Sequence, residues 1–274
     1  MWDAVRHRTL TKPSAPSSLP ARPKVNHPLA GRARASHPPS TPDLPSLPQL
    51  VGHRGAPREH PENTLPAFER ALALGADALE LDVHATRDGV VVVHHDPVPR
   101  GEAAGSRIAG RSIASLTMTD LSAVELARGG RIPSLADVLD LAAGRATVYV
   151  EIKARDVEPA VVACIEASRA HCAVHSFDHR VALRVRALAP HLPTGVLLIG
   201  RLVEPTSALS ASGARDLWQH WDDIDGELVA EVHASGGRVV AWTVNDVAEG
   251  RRLAALGVDA LCTDLPGEMR TAFR

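Results

Sequence analysis

The chain has 274 residues, of which 45% are hydrophobic and 3% aromatic, so its length suits one large domain with a mainly aliphatic core. No apolar run reaches the roughly 18 residues of a membrane-spanning helix, which argues against that class of protein. The formal net charge is −2, and a mildly acidic chain lacks the basic face that general nucleic-acid binding requires.

Residues 1–47 differ in composition from the rest of the chain. They hold seven Lys and Arg but only two Asp and Glu, and ten of the 21 prolines fall within the first 48 residues. Without apolar periodicity, such a segment buries too little surface to offset the entropy of ordering. We therefore predict a disordered Pro/Arg-rich leader that is dispensable for fold and catalysis. It lacks the apolar stretch of a secretory signal, so we expect a cytoplasmic protein.

From residue 48 onward, short apolar runs alternate with segments of helical periodicity. Strands are predicted near residues 48–53, 77–83, 147–152, 172–177, 194–199, 216–220, 238–244 and 259–263. Helical patterns lie between most of them, at residues 63–74, 134–143, 158–169, 179–189, 226–235 and 246–256. Parallel strands must be joined by crossover connections, which these helices provide. Eight such strands predict a closed (β/α)₈ TIM barrel over residues 48–274.

One apolar run, Val90–His94, does not fit the count of eight strands. It follows Asp88-Gly89, a turn dipeptide, directly after the second strand. We interpret this run as a hairpin arm, or as an extension of the second βα loop, that reaches over one end of the barrel.

Polar residues stand at the carboxyl ends of several predicted strands. A TIM barrel builds its active site from these ends around one mouth, so we expect the side chains to converge there. The inventory of histidines, carboxylates and cationic groups suits metal-assisted cleavage of a small-molecule phosphate ester. The candidate residues are His53, Arg54, Glu80, Asp82, His95, Glu151, Lys153 and Trp242.

The candidate metal ligands are carboxylates. Glu80 and Asp82 are two residues apart in a strand, so both point to the same side, and Glu151 ends another strand. Clustered carboxylates repel each other unless a cation lies between them. Two solvated acids at a strand end are the alternative interpretation. Oxygen ligands favour Mg²⁺, Mn²⁺ or Ca²⁺ over Zn²⁺, so we predict one such divalent cation.

The remaining candidates suit proton transfer and phosphate binding. His53 and His95 are the candidate acid and base, because the ordinary pKa of histidine permits both roles near neutrality. Arg54 offers a planar donor fork for a phosphate, and Lys153 either reaches a substrate oxyanion or simply pairs with a carboxylate. Trp242 either walls the pocket or packs inside the barrel.

With these residues in place, the chain resembles the glycerophosphodiester phosphodiesterase family. Each motif alone is weakly specific, but the ordered set, which spans roughly residues 49–268, is highly specific. The motifs are His53-Arg54-Gly55, Glu62-Asn63-Thr64, Glu80-Leu81-Asp82-Val83, Asp88-Gly89, Val91–Pro97, Ile132-Pro133-Ser134-Leu135, Glu151-Ile152-Lys153, Ser176-Phe177-Asp178, Trp242–Asn245 and Thr263-Asp264.

The resemblance implies a barrel with a small insertion in the second βα loop, here residues 97–131. It implies hydrolysis of glycerophosphodiesters to glycerol 3-phosphate and an alcohol, through a cyclic phosphate formed by the substrate's own 2-hydroxyl. The family's acid/base pair corresponds to His53 and His95, and its metal carboxylates correspond to Glu80, Asp82 and Glu151. Its phosphate and pocket contacts correspond to Arg54, Lys153 and Trp242.

Two rival functions remain open. A lysophospholipase D or sphingomyelinase D-like phosphodiesterase would share the barrel, the metal and the histidine pair, and would differ in having an apolar groove for an acyl chain. A non-catalytic barrel that only binds phosphodiesters would lack a histidine or a metal carboxylate, and none is missing here.

Overall fold

The computed structural model describes residues 47–99, 108–126 and 128–274. The predicted leader lies outside the described residues as far as residue 46, and so do residues 100–107 and 127 of the predicted insertion.

Eight parallel strands form a closed barrel, as predicted. The first strand pairs with both the second and the last barrel strand, which closes the sheet. The barrel strands are β1 (Gln49–His53), β2 (Ala78–Ala85), β4 (Thr147–Ile152), β5 (His171–Ser176), β6 (Thr194–Leu198), β7 (Asp216–His220), β8 (Arg238–Trp242) and β9 (Ala260–Thr263). The short strand β3 (Val91–Val93) pairs antiparallel with β2 outside the ring, which confirms the hairpin arm.

Helices connect the strands on the outside of the barrel. They are α1 (Leu65–Ala73), α2 (Met118–Ser122), α3 (Leu135–Ala142), α4 (Glu158–Glu166), α5 (Arg180–Leu188), α6 (Thr206–Ser212), α7 (Gly226–Ala234), α8 (Val247–Leu256) and α9 (Pro266–Ala272). Periodicity did not predict α6, because this Ser/Ala-rich helix buries only Leu209 and Ser212. Within the described ranges, no helix is both long and apolar enough to cross a bilayer.

Side-chain alternation along the strands separates two kinds of core. On β2, Leu79, Leu81 and Val83 point outward and pack under the helices. The opposite set faces the barrel interior, where small and aromatic residues fill the lower layers. Glu80 and Asp82 belong to this inward set and are both buried, as the two-residue spacing predicts.

The insertion has a small apolar cluster of its own. Residues Ile108, Ile113, Leu116, Leu121, Val124 and Leu126 pack with Val92 of the arm and with Ile132. The arm is also hydrogen-bonded to the start of α3, where Val93 N–H donates to Pro133. Ser134 caps α3 and forms a capping box with Asp137, so the predicted helix start is confirmed.

Candidate active site

Strand register brings most of the candidate side chains to one mouth. His53 lies opposite Glu80 in the β1–β2 pair, and Asp82 lies opposite Glu151 in the β2–β4 pair. A cavity of about 230 Å³ opens at this end, and seven of the eight predicted residues line it. These seven are His53, Arg54, Glu80, His95, Glu151, Lys153 and Trp242.

The eighth residue, Asp82, is fully buried and anchors the two cationic side chains of the site. Its Oδ2 lies 3.0 Å from Nε of Arg54 and accepts a hydrogen bond from Nδ2 of Asn63 at 2.8 Å. Its Oδ1 lies 3.2 Å from Nζ of Lys153. Burial alone would raise the pKa of Asp82, but the charges of Arg54 and Lys153 hold it below its usual value. Asp82 is therefore an ionised carboxylate, and its role as a metal ligand stays a prediction.

Two carboxylates and a histidine form the group that could hold a cation. The candidate ligand atoms of Glu80, Glu151 and His175 all lie within 4.8 Å of one another, and the three side chains are buried. Burial, and then the charges of Asp82 and Glu151, raise the pKa of Glu80 well above its usual value. Burial and the charge of Asp82 raise the pKa of Glu151 to about 7, although Nζ of Lys153 is 2.8 Å from its Oε1. Negative charge is thus costly here without a bound cation.

His53 is oriented by a carboxylate. Its Nδ1 is 2.7 Å from Oδ1 of Asp264. The Asn245 side chain holds Asp264 in turn, because its Nδ2 donates to Oδ2 of Asp264 at 2.7 Å and its Oδ1 accepts from the backbone N–H of Asp264 at 2.8 Å. An ionised carboxylate can only accept, so Nδ1 carries the proton and Nε2 has a free lone pair. Nε2 lies 4.0 Å from Oε2 of Glu80. Nε2 therefore faces the carboxylate group and is the nitrogen available for proton transfer.

His95 has the same kind of partner on the other side of the cavity. Its Nδ1 is 3.0 Å from Oδ1 of Asp96, so Nε2 is again the nitrogen available for proton transfer. The backbone here is fixed because His94 N–H donates to the carbonyl of Asp82 at 2.9 Å. Nε2 of His84 donates to the carbonyl oxygen of His95 at 3.1 Å.

Arg54 reaches the site from a strained loop after β1. Its φ is 56°, in the left-handed region, and its N–H donates to Glu80 through both the carbonyl oxygen at 2.9 Å and Oε2 at 3.1 Å. Gly55 follows with φ 90°, where a Cβ would meet the backbone of Ala67 at 2.6 Å. The turn therefore requires a glycine at position 55. It also directs the side chain of Arg54 toward Asp82.

An aromatic and aliphatic wall faces the charged side of the cavity. Trp242 lines it and packs edge-to-face on Phe177, with ring centroids 5.5 Å apart. Ile199 and Leu197 continue the wall, and the exposed fractions of Ile199 and Phe177 are 72% and 43%. Apolar surface therefore runs from the cavity out to solvent.

Some contributors were not assigned from sequence. Asp264 continues the inward alternation of β9 beside β1, and His175 does the same on β5 opposite Glu151. Counting alternate positions, along β5 for His175 and one residue past β9 for Asp264, is the signal that would have found both. Asn63, Asn245 and Asp96 lie in loops, for which strand periodicity gives no signal.

A larger cavity of about 820 Å³ lies at the other end of the barrel, away from this chemistry. Its lining charges are paired, for example Arg270 with Asp77 at 2.6 Å and His233 with Asp259 at 2.9 Å. The smaller cavity at the carboxyl ends is therefore the better candidate for catalysis.

Comparison with known proteins places the chain among the phosphoric diester hydrolases. The model of the glycerophosphoryl diester phosphodiesterase family matches residues 53–268, and the chain belongs to that family.

Individual relatives agree with this membership. A glycerophosphodiester phosphodiesterase from Caldanaerobacter subterraneus is 32% identical over 228 residues, which cover 79% of this chain and 94% of the relative. A crystal structure of a glycerophosphodiester phosphodiesterase from Parabacteroides distasonis superposes with a TM-score of 0.70 at 26% identity, covering 81% of this chain and 95% of the other. An Oleispira antarctica phosphodiesterase, solved with the product sn-glycerol-3-phosphate, has a TM-score of 0.74 at 24% identity, covers 83% of this chain and 97% of the other, and supports the fold.

Proposed function

We propose that this protein hydrolyses glycerophosphodiesters to glycerol 3-phosphate and an alcohol, with a divalent cation and a histidine acid/base pair. One observation carries the proposal: two carboxylate-paired histidines, a buried acidic cluster and two cationic side chains surround a single cavity. The product found in the Oleispira relative has the same chemical class as the product proposed here.

The donor set fits a divalent cation. Among the described residues, three buried carboxylates, those of Glu80, Asp82 and Glu151, face two cationic side chains, those of Arg54 and Lys153. With all three carboxylates ionised, one negative charge would be in excess. A divalent cation and one phosphodiester monoanion together add one positive charge and would neutralise the site. Carboxylate oxygens suit Mg²⁺, Mn²⁺ or Ca²⁺, and a bound cation would supply positive charge that polarises the phosphate.

The protein's own residues then account for binding and proton transfer. Arg54 and Lys153, held by Asp82, neutralise and orient the phosphate. One histidine takes the proton of the glycerol 2-hydroxyl, whose oxygen attacks phosphorus in line. The other histidine gives a proton to the leaving alcohol oxygen as its bond to phosphorus breaks. Water then opens the cyclic phosphate to glycerol 3-phosphate, and Trp242 walls the pocket during both steps.

The proposal is tested by turnover with glycerophosphocholine and lysophosphatidylcholine side by side. Release of glycerol 3-phosphate should stop in EDTA and return when Mg²⁺, Mn²⁺ or Ca²⁺ is added. Undiminished turnover after exhaustive chelation would remove the cation from the mechanism. The absence of turnover with either ester under every metal condition would contradict the proposed reaction.

The 2-hydroxyl of the substrate should be essential. We expect the 2-deoxy analogue of glycerophosphocholine to bind as a competitive inhibitor without being cleaved, because it carries no internal nucleophile. Phosphorus NMR during turnover of the normal substrate should show the cyclic phosphate. Equal kcat for the two compounds would mean that water attacks directly.

Asp264 should act as a positioning residue for His53. In Asp264→Asn the amide can still contact the imidazole, but it no longer fixes the Nδ1–H tautomer, so kcat should fall by roughly 10–10³-fold while KM changes little. Asn245→Ala should give a smaller loss in the same direction. A change confined to KM would assign Asp264 to substrate binding instead. Asp259→Asn at the far end of the barrel is the matched control.

Residues 48–274 should suffice for this activity. A chain that begins at Pro48 is expected to keep the melting temperature and kcat of the full chain, because the site and its supporting contacts lie within the barrel. A fall of several degrees in melting temperature would show that the preceding residues stabilise the barrel.

The apolar wall favours a second candidate function. Phe177 and Ile199 line the cavity and remain substantially exposed, which would suit an alcohol that carries an acyl chain, as in lysophospholipase D activity. Faster turnover of lysophosphatidylcholine than of glycerophosphocholine would select this function. Replacing Ile199 with Ser should then slow only the acylated substrate.

A further inference from the structure

His175 is a buried imidazole whose ring nitrogens make no hydrogen bond to any described residue. It lies on β5 with its side chain almost completely enclosed. Oε1 of Glu80 is 3.8 Å from Nε2, beyond hydrogen-bond distance. Unpaired polar atoms in an interior cost free energy, so such a position calls for a ligand atom or ion.

The imidazole is held in a fixed orientation. Its ring stacks on the Trp218 indole with centroids 4.1 Å apart and an angle of 5° between the planes. Trp218 in turn packs edge-to-face on Tyr149 at 5.1 Å. Gly195, the register partner of His175, leaves room for the indole, since a Cβ there would lie 2.9 Å from Cδ1 of Trp218. The barrel interior is thus built around this stack, which presents the imidazole edge to Glu80 and Glu151.

We propose that His175 supplies a nitrogen ligand to the divalent cation held by Glu80 and Glu151, and that this ligand makes the site select Mn²⁺ over Ca²⁺. The candidate ligand atoms of the three residues lie within 4.8 Å of one another, so one ion can reach all of them. Ca²⁺ takes oxygen ligands, whereas imidazole nitrogen adds affinity for first-row transition ions. The inference rests on the cation of the proposed function and adds a nitrogen ligand to the carboxylates of Glu80 and Glu151.

Pulsed EPR of the full chain loaded with Mn²⁺ tests the bond directly. The wild type should show ¹⁴N modulation from a coordinated imidazole, and labelling all histidines with ¹⁵N should replace it with the ¹⁵N pattern without any substitution. His175→Gln should abolish the modulation. His53→Gln should retain it, although Nε2 of His53 lies 4.0 Å from a Glu80 oxygen. Modulation that survives in His175→Gln, or disappears in His53→Gln, would overturn the assignment.

Calorimetric titration with each metal alone tests the selectivity. In His175→Gln we expect the Kd for Mn²⁺ to rise by roughly 10–100-fold and the Kd for Ca²⁺ to change by less than about threefold. Equal weakening of both metals would show a merely structural role for His175. His191→Gln, at an exposed surface histidine, is the matched control.

The two levels of the proposal fail differently. If none of Mg²⁺, Mn²⁺ and Ca²⁺ binds to the wild type, the cation of the proposed function is wrong and His175 loses its ligand role with it. If Ca²⁺ binds and Mn²⁺ does not, only the role of His175 is wrong. If Mn²⁺ binds and Glu80→Gln abolishes binding, but no nitrogen coupling is seen, only the role of His175 is wrong.

Discussion

Replacing either His53 or His95 with Ala is expected to lower kcat by roughly 10²–10⁴-fold, the usual range for a lost acid or base. The effect should be on kcat more than on KM, because the proposed phosphate ligands Arg54 and Lys153 are unchanged. Both histidines lie at the mouth and not in the packed layers, so the barrel should remain folded.

Steady-state kinetics with glycerophosphocholine, alongside circular dichroism, would measure this. The double variant should lose little more than the worse single variant, because the two groups act on the same reaction. His191→Ala removes a histidine whose side chain is 69% exposed on the surface, and it should leave kcat unchanged. Near-wild-type turnover in either single variant would exclude that histidine from catalysis.

Replacing Glu80 with Gln should abolish metal binding and reduce turnover as far as chelation does. The same change should stabilise the metal-free protein. Burial and the neighbouring charges of Asp82 and Glu151 raise the pKa of Glu80, so its ionised form costs folding free energy at neutral pH. Gln has the same shape and can still accept the N–H of Arg54, which donates to Oε2 at 3.1 Å.

The expected shift in melting temperature depends on the length of the domain. For a domain of this length, each kcal/mol gained in the free energy of unfolding raises the melting temperature by about 2–4 °C. An acid whose pKa is raised by folding loses stability as the pH rises above the ordinary carboxyl pKa. The gain in Glu80→Gln, measured in EDTA, should therefore be larger at pH 8 than at pH 5.

Added metal should reverse the order of stability. Saturating Mn²⁺ should stabilise the wild type and not Glu80→Gln, because only the wild type would bind it tightly. Glu125→Gln, at an exposed position, is the control and should behave as wild type in both buffers. A metal-free Glu80→Gln protein that is less stable than wild type would contradict the prediction. It would mean that the contacts of the Glu80 carboxylate stabilise the fold by more than its burial and charge repulsion destabilise it.

The strands of the barrel, and the side to which their residues point, are the features that are best predicted from the sequence. The eight barrel strands follow from short apolar runs, as expected of parallel strands that are buried on both faces. The shared inward face of Glu80 and Asp82 follows from the period of two along a strand. The contacts of Asp82 could not be predicted in the same way. They depend on Asn63 and Arg54, which lie in a loop with positive φ at both positions, and loop conformation leaves no periodic trace.

The prediction of helices from periodicity missed α6, a helix with few buried side chains. α6 has few apolar residues to mark a face, so only the barrel geometry requires a crossover there. His175 was overlooked because its strand reads as an ordinary apolar run, and its meaning comes from Glu151 on the neighbouring strand. A site in a barrel is formed by side chains from adjacent strands. The sequence of one strand alone therefore does not show which side chains will meet.

We expect this enzyme to have two separate thermal limits, because the arm carries one of the two proposed acid/base histidines. His95 follows β3, which is not one of the eight ring strands, and its backbone is tied down by His84 and by the His94–Asp82 hydrogen bond. These contacts can open as a local unit without breaking any pairing of the ring. Reversible loss of activity on heating, through opening of the arm, would therefore depend on one set of contacts. Irreversible loss of activity, through unfolding of the barrel, would depend on another. Mutations that strengthen only the pairing between ring strands are therefore expected to leave the first limit unchanged.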